Sequence, residues 1–243
     1  MRRVGQVFER ITSFDNLMSA CRMAARGKRD LRGVARFLER REHELLGLQR
    51  ELQDETYRPG DVTSFLIQDP KERRITVAPF RDRVVHHALI DPLEACFDRR
   101  MIATSFACRR GKGQHRAIRH AQAEVRRYRY FLKLDIRRFF PSLRHEVVLE
   151  TLGRILKDPR AMRLCGLIVA SGGASGRGLP IGHLSSQWFA NLVLDRLDHF
   201  VKEKLRAKGY LRYMDDFVLF ADDRAWLREA QGEIGAYLGG LEL

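Results

Sequence analysis

Leu211-Arg212-Tyr213-Met214-Asp215-Asp216-Phe217-Val218-Leu219-Phe220 is an apolar run broken at its centre by two adjacent acids. Strand-forming flanks on either side of a short polar pair read as a β-hairpin with its acids at the tip. Two adjacent carboxylates repel each other at neutral pH, so a cation between them is the natural compensation. An ordinary surface turn is the alternative for Asp-Asp alone. The apolar flanks argue against it, because they bury the base of the turn and bring the acids near the core.

Upstream, Tyr130-Phe131-Leu132-Lys133-Leu134-Asp135-Ile136 is a second run of strand type, read as a buried strand that ends in one acid. A carboxylate at the end of a rigid element is well placed to hold a metal ion. The competing reading is that Asp135 caps a helix starting near Ser142. Between the two acid sites lies Gly178-Leu179-Pro180-Ile181-Gly182-His183-Leu184-Ser185-Ser186-Gln187. Its glycines let backbone approach a ligand, and Ser185 or Ser186 is the expected N-cap of the helix that follows. Phe189, Leu192, Val193, Leu197, Phe200, Val201 and Leu205 give that helix one apolar face, running toward Gly209.

The N-terminal half reads less sharply. Leu17, Met18, Cys21, Leu31, Val34, Phe37, Leu38, Leu45, Leu46 and Leu48 fall at helical spacings between Phe14 and Glu55, interrupted at Gly27-Lys28, and predict two helices. Alternation and turn residues between Tyr57 and Pro79 predict a hairpin. Helices are expected from Asp82 through Ile90 and over Arg116 to Arg127. The fold class is α+β. With 44% apolar residues in 243, the chain is long enough to bury a substantial core. The formal charge is +14, and it is uneven. Residues 1–127 carry 27 basic and 17 acidic side chains, whereas residues 128–243 carry 18 and 14, so the first half is the better polyanion clamp. The four cysteines are far apart, which suggests neither a zinc knuckle nor a disulfide framework. No secretory leader and no membrane span is read, so a soluble, cytoplasmic protein with no membrane partner is expected.

Three features in order carry a resemblance: a strand-end Asp135 with Phe139-Phe140 just after it, the string L-P-x-G-x-x-x-S-Q at 179–187, and Tyr213-Met214-Asp215-Asp216. Together they resemble the palm motifs of reverse transcriptases. Arg81-Asp82-Arg83-Val84-Val85-His86-His87-Ala88-Leu89 and Ser105-Phe106-Ala107-Cys108-Arg109-Arg110-Gly111-Lys112-Gly113 look like fingers motifs of bacterial, group II intron-like members. The likeness runs from about Tyr57 to the C-terminus. Where retroviral and group II intron enzymes usually carry Gln before the second motif glycine, this sequence has Ile181. That variant, with Ser186-Gln187-Trp188-Phe189-Ala190-Asn191-Leu192, is most similar to reverse transcriptases of diversity-generating retroelements.

The resemblance implies a right-hand-like polymerase with fingers over 1–128 and a palm over 129–243, its antiparallel sheet packed on helices. Relatives continue past Gly239-Gly240-Leu241-Glu242-Leu243 into a thumb that this sequence lacks, so a truncated chain or a thumb supplied by a partner is expected, with poor processivity. The implied activity is RNA-directed DNA synthesis on two Mg2+ ions, with Mn2+ as a substitute. Asp135 and Asp215 are the ligands of both ions, Asp216 is the more peripheral acid, and the Ile136 carbonyl completes one coordination sphere. Lys71, Arg73, Arg74, Arg81 and Arg83 are candidate triphosphate contacts, although Arg81 and Arg83 equally suit ion pairs around Asp82. Gly182 and Gln187 belong to the nucleotide-binding loop. Phe140 is the steric gate against a ribose 2′ hydroxyl, or a core ring beside Phe139. Ile181 lacks the amide that Gln offers near the templating pair, which implies error-prone copying. Arg109, Arg110, Lys112 and His115 are candidate nucleic-acid contacts. Implied partners are an RNA template, a DNA or RNA primer, deoxynucleoside triphosphates and, in that subfamily, a small basic helical accessory protein, in a bacterial or phage-encoded setting. Retron, intron and phage-defence enzymes are the alternatives, as is a non-catalytic RNA-binding protein of palm-like fold, which has no need of the acid set.

Overall fold

A computed structural model describes residues 3–68, 72–172 and 176–243. The chain runs α1 (Phe8–Thr12), α2 (Phe14–Ala25), α3 (Arg32–Glu39), α4 (Arg41–Gln53), β1 (Thr63–Gln68), β2 (Glu72–Val77), α5 (Phe80–Asp98) and α6 (Gln114–Arg127). It continues through β3 (Tyr130–Asp135), α7 (Phe139–Ser142), α8 (His145–Gly153), α9 (Pro159–Ala170), α10 (Leu184–His199), β4 (Gly209–Tyr213), β5 (Asp216–Ala221) and α11 (Arg224–Gly239). Strands β1 and β2 form an antiparallel hairpin, and β3, β5 and β4 form an antiparallel sheet in that order. Mixed helix and sheet is as expected. The two helices foreseen between Phe14 and Glu55 are in fact three, because the chain also breaks at Arg40. Among the described residues, no helix is long and apolar enough to cross a membrane.

Two central helices organise the core. On α10, Trp188, Phe189, Ala190, Leu192, Val193, Leu194 and Leu197 are all buried, and a helix that buries residues on every side belongs in an interior. On α5, Val84, Val85, Ala88, Leu89, Leu93 and Phe97 are completely buried. Pro92 sits inside α5 and has no N–H for the carbonyl of Ala88, four residues back. The Asn16 side chain repairs this, its Nδ2 donating to Ala88 O at 2.9 Å and to Ile11 O at 2.9 Å. Asp158 joins the termini of two helices: Oδ1 accepts from Arg160 N and Ala161 N to cap α9, while Oδ2 accepts from Val7 N and Phe8 N at the start of α1. Burial raises its pKa, but these four backbone donors outweigh it and hold the carboxyl below the usual range.

The three-stranded sheet is covered on one face along its length and on the other only around β4 and β5, and strand alternation divides its side chains between them. Tyr210, Phe217 and Leu219 join the main core, whereas Leu211 and Phe220 form a smaller cluster with Phe106 and with Ala117 of α6. The outer edge of β4 is bound by the 104–106 segment, through Arg212 N to Thr104 O and Phe106 N to Arg212 O, both at 3.0 Å. The edge strand is β3, which corrects the expectation of a buried strand: Phe131 is 62% exposed and Tyr130 43% exposed. Its apolar residues satisfy one face only, where Leu132 and Leu134 pack on the core.

Candidate active site

Strands β4 and β5 are joined by Met214 and Asp215, and Tyr213 pairs with Asp216 below the turn. Asp135 lies opposite Asp216 across the β3–β5 ladder. Directly opposed residues share a sheet face with Cβ atoms about 4.5–5.5 Å apart, so the register alone makes these two acids neighbours. Lys133, two residues before Asp135 and hence on the same face, places Nζ 3.3 Å from Asp216 Oδ1. Asp215 projects from the turn itself. Burial raises its pKa, and the charges of Asp135 and Asp216 raise it further, while a backbone hydrogen bond and Arg73 oppose the shift. The three acids that the sequence singled out thus meet at one end of the sheet. Among the described residues, no group of three or more His, Cys, Asp or Glu side chains is close enough to form a ready metal cage. Asp135 does not cap a helix: Arg138 and Arg144 are the N-cap residues of α7 and α8, and neither end has a side-chain cap. Ile136, next to it, is buried.

The turn is held from beneath by residues that the sequence reading missed. Met214 has a left-handed φ of +56°, which a non-glycine residue adopts at a cost. Its carbonyl accepts from Arg212 Nη1 at 3.0 Å. Arg212 is fully buried and forks onto Asp198, with Nε to Oδ1 at 2.8 Å and Nη2 to Oδ2 at 2.7 Å. The same guanidinium donates to Asn191 Oδ1 at 2.7 Å, and Tyr210 Oη donates to Asp198 Oδ1 at 2.7 Å. Burial works against the charge on Arg212, but Asp198 beside it dominates and raises its pKa. Asn191 and Asp198 lie seven residues apart on α10, so both face β4. That spacing, which sets Asn191 and Asp198 among the apolar positions of one helical face, was the available signal.

The loop before α10 is tied to both neighbours of the turn. Gly178 N donates to Leu143 O at 2.8 Å and Leu179 N to Phe140 O at 2.9 Å, which fixes the loop to α7. Thr76 N donates to Ile181 O at 2.9 Å, which docks the β1–β2 hairpin on it. Gly182 is required by this contact. Its φ is +109°, and a Cβ there would lie 3.0 Å from Thr76 O. Phe140 is half-buried and meets Phe139 edge-on at 5.6 Å between ring centroids. The expected serine cap is corrected: His183 is the N-cap residue, Ser185 and Ser186 are buried inside the helix, and Ser185 Oγ lies 2.8 Å from His86 Nδ1. Gln187 Oε1 accepts from Cys108 Sγ at 3.4 Å, and Cys108 also contacts Met214 Sδ at 3.8 Å.

The basic candidates separate into distinct groups. Arg73 on β2 acts electrostatically on Asp215, whereas Arg74, the next residue, projects from the other face of the ribbon. Lys71 lies outside the described residues. Arg81 pairs with Glu51 and lies over the Tyr57 ring, and Arg83 lies over the Phe80 ring. Neither pairs with Asp82, which instead accepts from Tyr57 Oη at 2.9 Å and Gly60 N at 2.8 Å. Arg109 is corrected from a template contact to a strut: its side chain is 5% exposed and binds Asp98 Oδ1, Asp98 O, Ile102 O and Ser105 O. Arg110 is exposed beside Asp91 and Glu94, Lys112 donates to Ala103 O at 2.6 Å, and His115 is exposed on α6.

The family model described as reverse transcriptase (RNA-dependent DNA polymerase) matches residues 67–243, and the chain belongs to that family. Protein YkfC of Escherichia coli K12 is 23% identical, with 72% of this chain and 58% of YkfC covered. Nuclear intron maturase 1, mitochondrial, of Arabidopsis thaliana is 33% identical over a stretch that covers 38% of this chain and 12% of the maturase. The chain therefore spans less than two thirds of these relatives. Among solved structures, telomerase from Candida albicans, in complex with a fragment of telomeric RNA, superposes with a TM-score of 0.54 at 11% identity, covering 74% of this chain and 40% of that one. A partial Cas6-RT-Cas1–Cas2 complex superposes with a TM-score of 0.50 at 16% identity, covering 96% and 42%. These two show the shared fold.

Proposed function

We propose that this chain is an RNA-directed DNA polymerase that extends a DNA or RNA primer along an RNA template. The carrying observation is that Asp135 and Asp216 stand opposite each other, with Asp215 above them on a turn braced by Arg212. The donor chemistry fits magnesium, or manganese in its place: three carboxylates and no soft ligand, with like-charge repulsion that a divalent cation relieves. Asp135 and Asp215 would hold the ions, with Asp216 and the Ile136 carbonyl at the margin. When bound, such ions stabilise the attacking and leaving oxygens of an in-line phosphoryl displacement.

In that displacement the primer 3′ oxygen bonds to the α-phosphorus and pyrophosphate leaves. Among the described residues, Arg73 is the candidate best placed to neutralise the triphosphate, because its charge already reaches Asp215. Phe140 excludes a ribose 2′ hydroxyl by volume, and the Ile181–Gly182 backbone supports the incoming nucleotide from the docked loop. Arg110, Lys112 and His115 offer contacts to the template backbone. The decisive measurement is primer extension on an RNA template by the wild-type chain and by Asp215→Asn. Extension is expected from the first alone, and equal extension by both would refute the carboxylate assignment.

Ile181 favours an error-prone enzyme of a diversity-generating retroelement, working with a small basic accessory protein. Misincorporation concentrated opposite template adenines, and reduced by Ile181→Gln, supports that reading; faithful copying overturns it. The 33% identity to an intron maturase favours a second reading, in which the chain serves an intron RNA. Selective binding of an intron RNA over other structured RNAs distinguishes it.

A further inference from the structure

A cavity of about 570 Å³ opens on α10 away from the carboxylate turn, walled by the end of α5, by α8 with the loop after it, and by α11. Four guanidinium groups line it: Arg99, Arg100, Arg154 and Arg196. None belongs to the site described above. Arg41, Arg83 and Arg160 each bury an Nε without an acceptor at scattered places, whereas this cavity brings two such arginines together. Among the described residues, Arg100 Nε and Arg196 Nη1 are buried without a hydrogen-bond acceptor. Arg196 Nη1 lies 3.6 Å from Glu150 Oε2, which is close enough for attraction but too long for a hydrogen bond. Glu150 is already engaged by Arg154 at 2.5 Å. A buried donor without a partner costs about 1–3 kcal/mol, and the cavity holds two. An acceptor-rich anion reaches both donors at once.

We infer that this cavity is a second nucleic-acid or nucleotide contact, built to seat a phosphate group between Arg99, Arg100, Arg154 and Arg196. Phosphate offers several strong acceptor oxygens, and guanidinium is the side chain whose fork matches them. The volume suits one nucleotide unit, with Leu192, Ile155 and Tyr237 supplying apolar wall. The wall also holds one acid, Asp195, whose Oδ1 is likewise buried without a partner; burial, and then the charge of Asp198, push its pKa up to about 6, which eases its protonation beside an anion. His199, beside it, is shifted the other way. Burial lowers its pKa, but the contact with Glu203 and the charge of Asp195 together raise it, so positive charge is favoured. The phosphate can come from an RNA backbone or from a free nucleotide. The RNA source rests on the polymerase reading, whereas the phosphate preference does not.

Arginine footprinting tests the inference directly. The whole chain is treated with phenylglyoxal alone, or with inorganic pyrophosphate, ATP, single-stranded RNA or polyglutamate, and modification is read by mass spectrometry against exposed Arg224 and Arg228. Pyrophosphate, ATP and RNA are expected to protect the cavity arginines selectively, polyglutamate is not, and the Asp215→Asn chain should behave identically. That last arm separates failure of the polymerase reading from failure of this one. Protection at a lower concentration of RNA than of ATP identifies a backbone contact, and the reverse identifies a nucleotide site. In parallel, Arg99→Gln with Arg196→Gln should weaken RNA binding about tenfold and make the log–log salt dependence shallower by roughly 1–2, with the urea midpoint confirming an intact fold. A free-nucleotide site leaves RNA binding unchanged but abolishes the protection by ATP. The inference is overturned if no phosphate compound protects these arginines, or if polyglutamate protects them equally.

Discussion

Replacing Arg212 with Met removes the only guanidinium that reaches Asp198 among the described contacts and leaves that carboxylate fully buried with Tyr210 alone as donor. Breaking a buried pair by deleting one partner costs about 3–5 kcal/mol, because the remaining charge cannot be resolvated. For a chain of this size, roughly 2–4 °C is lost per kcal/mol, so the midpoint of thermal unfolding should fall by about 6–20 °C. The control is Arg212→Met combined with Asp198→Leu and Tyr210→Phe, which removes the stranded charge and hydroxyl together. Asn191 Oδ1 still loses its donor there, so recovery of about half the loss or more is expected rather than all of it. Urea unfolding followed by tryptophan fluorescence measures both changes. Primer extension must stay low in the triple variant even as stability returns, since the Met214 carbonyl remains without its donor. A single variant within about 1 kcal/mol of wild type, or a triple variant no more stable than the single one, would sink the reasoning.

Asn16→Leu should destabilise the fold by about 1–3 kcal/mol in urea titration, because the Ala88 carbonyl freed by Pro92 then has no donor. The same loss should shrink by about half when Pro92→Ala is present, since the helix then supplies an N–H to Ala88 O while Ile11 O still lacks its donor. Gly182→Ala forces a methyl group to within 3.0 Å of Thr76 O at a φ that alanine resists, so the hairpin should lift from the loop. Steady-state extension is expected to show KM for the deoxynucleotide rising more than kcat falls; a change in kcat alone would argue against hairpin docking as part of nucleotide binding. Asp158 has its pKa held below the unfolded value near 3.8, so its contribution is present above that pH and is lost as pH falls through the lower folded value. Acid titration of Asp158→Asn against wild type should therefore show a stability gap at pH 6 that narrows below about pH 4. A gap independent of pH would mean that the hydrogen bonds matter and the charge does not.

The elements most legible in the sequence were those whose signal is local. The β4–β5 turn, β3 and the Tyr57–Pro79 hairpin each announce themselves by a contiguous pattern, and Asp135 opposite Asp216 follows once both strands are paired. Helices α3 and α4 were merged because Val34, Phe37, Leu45 and Leu48 all keep helical spacing across Arg40, where neither glycine nor proline marks the break. The apolar composition of β3 concealed that it is an edge, since periodicity reports which face is apolar and not whether a neighbour covers it. Ser185 and Ser186 carry cap chemistry, but one is committed to His86 and both are buried, which is decided by α5, about a hundred residues earlier in the chain. Arg109 looked like a phosphate contact for the same reason: its acceptors at Asp98, Ile102 and Ser105 are fixed by the fold of the loop.

The buried Arg212–Asp198 pair raises the question of why charge is used beneath the turn at all. Well-packed apolar residues would serve stability as well or better, because a buried ion pair recovers its desolvation cost only when its geometry is good. Apolar residues cannot, however, donate to the carbonyl of Met214, whose left-handed backbone needs holding in place. A guanidinium clamped by two carboxylate oxygens and an amide has little freedom left, so its remaining N–H points at the turn with a fixed direction. The acid at the tip is thereby tied to α10, and α10 is tied through its leading loop to the hairpin that carries Arg73. The cost of the charge in the core is offset by precision at the surface: the carboxylate turn and the hairpin that carries Arg73 are linked by one continuous path of hydrogen bonds and packed helix.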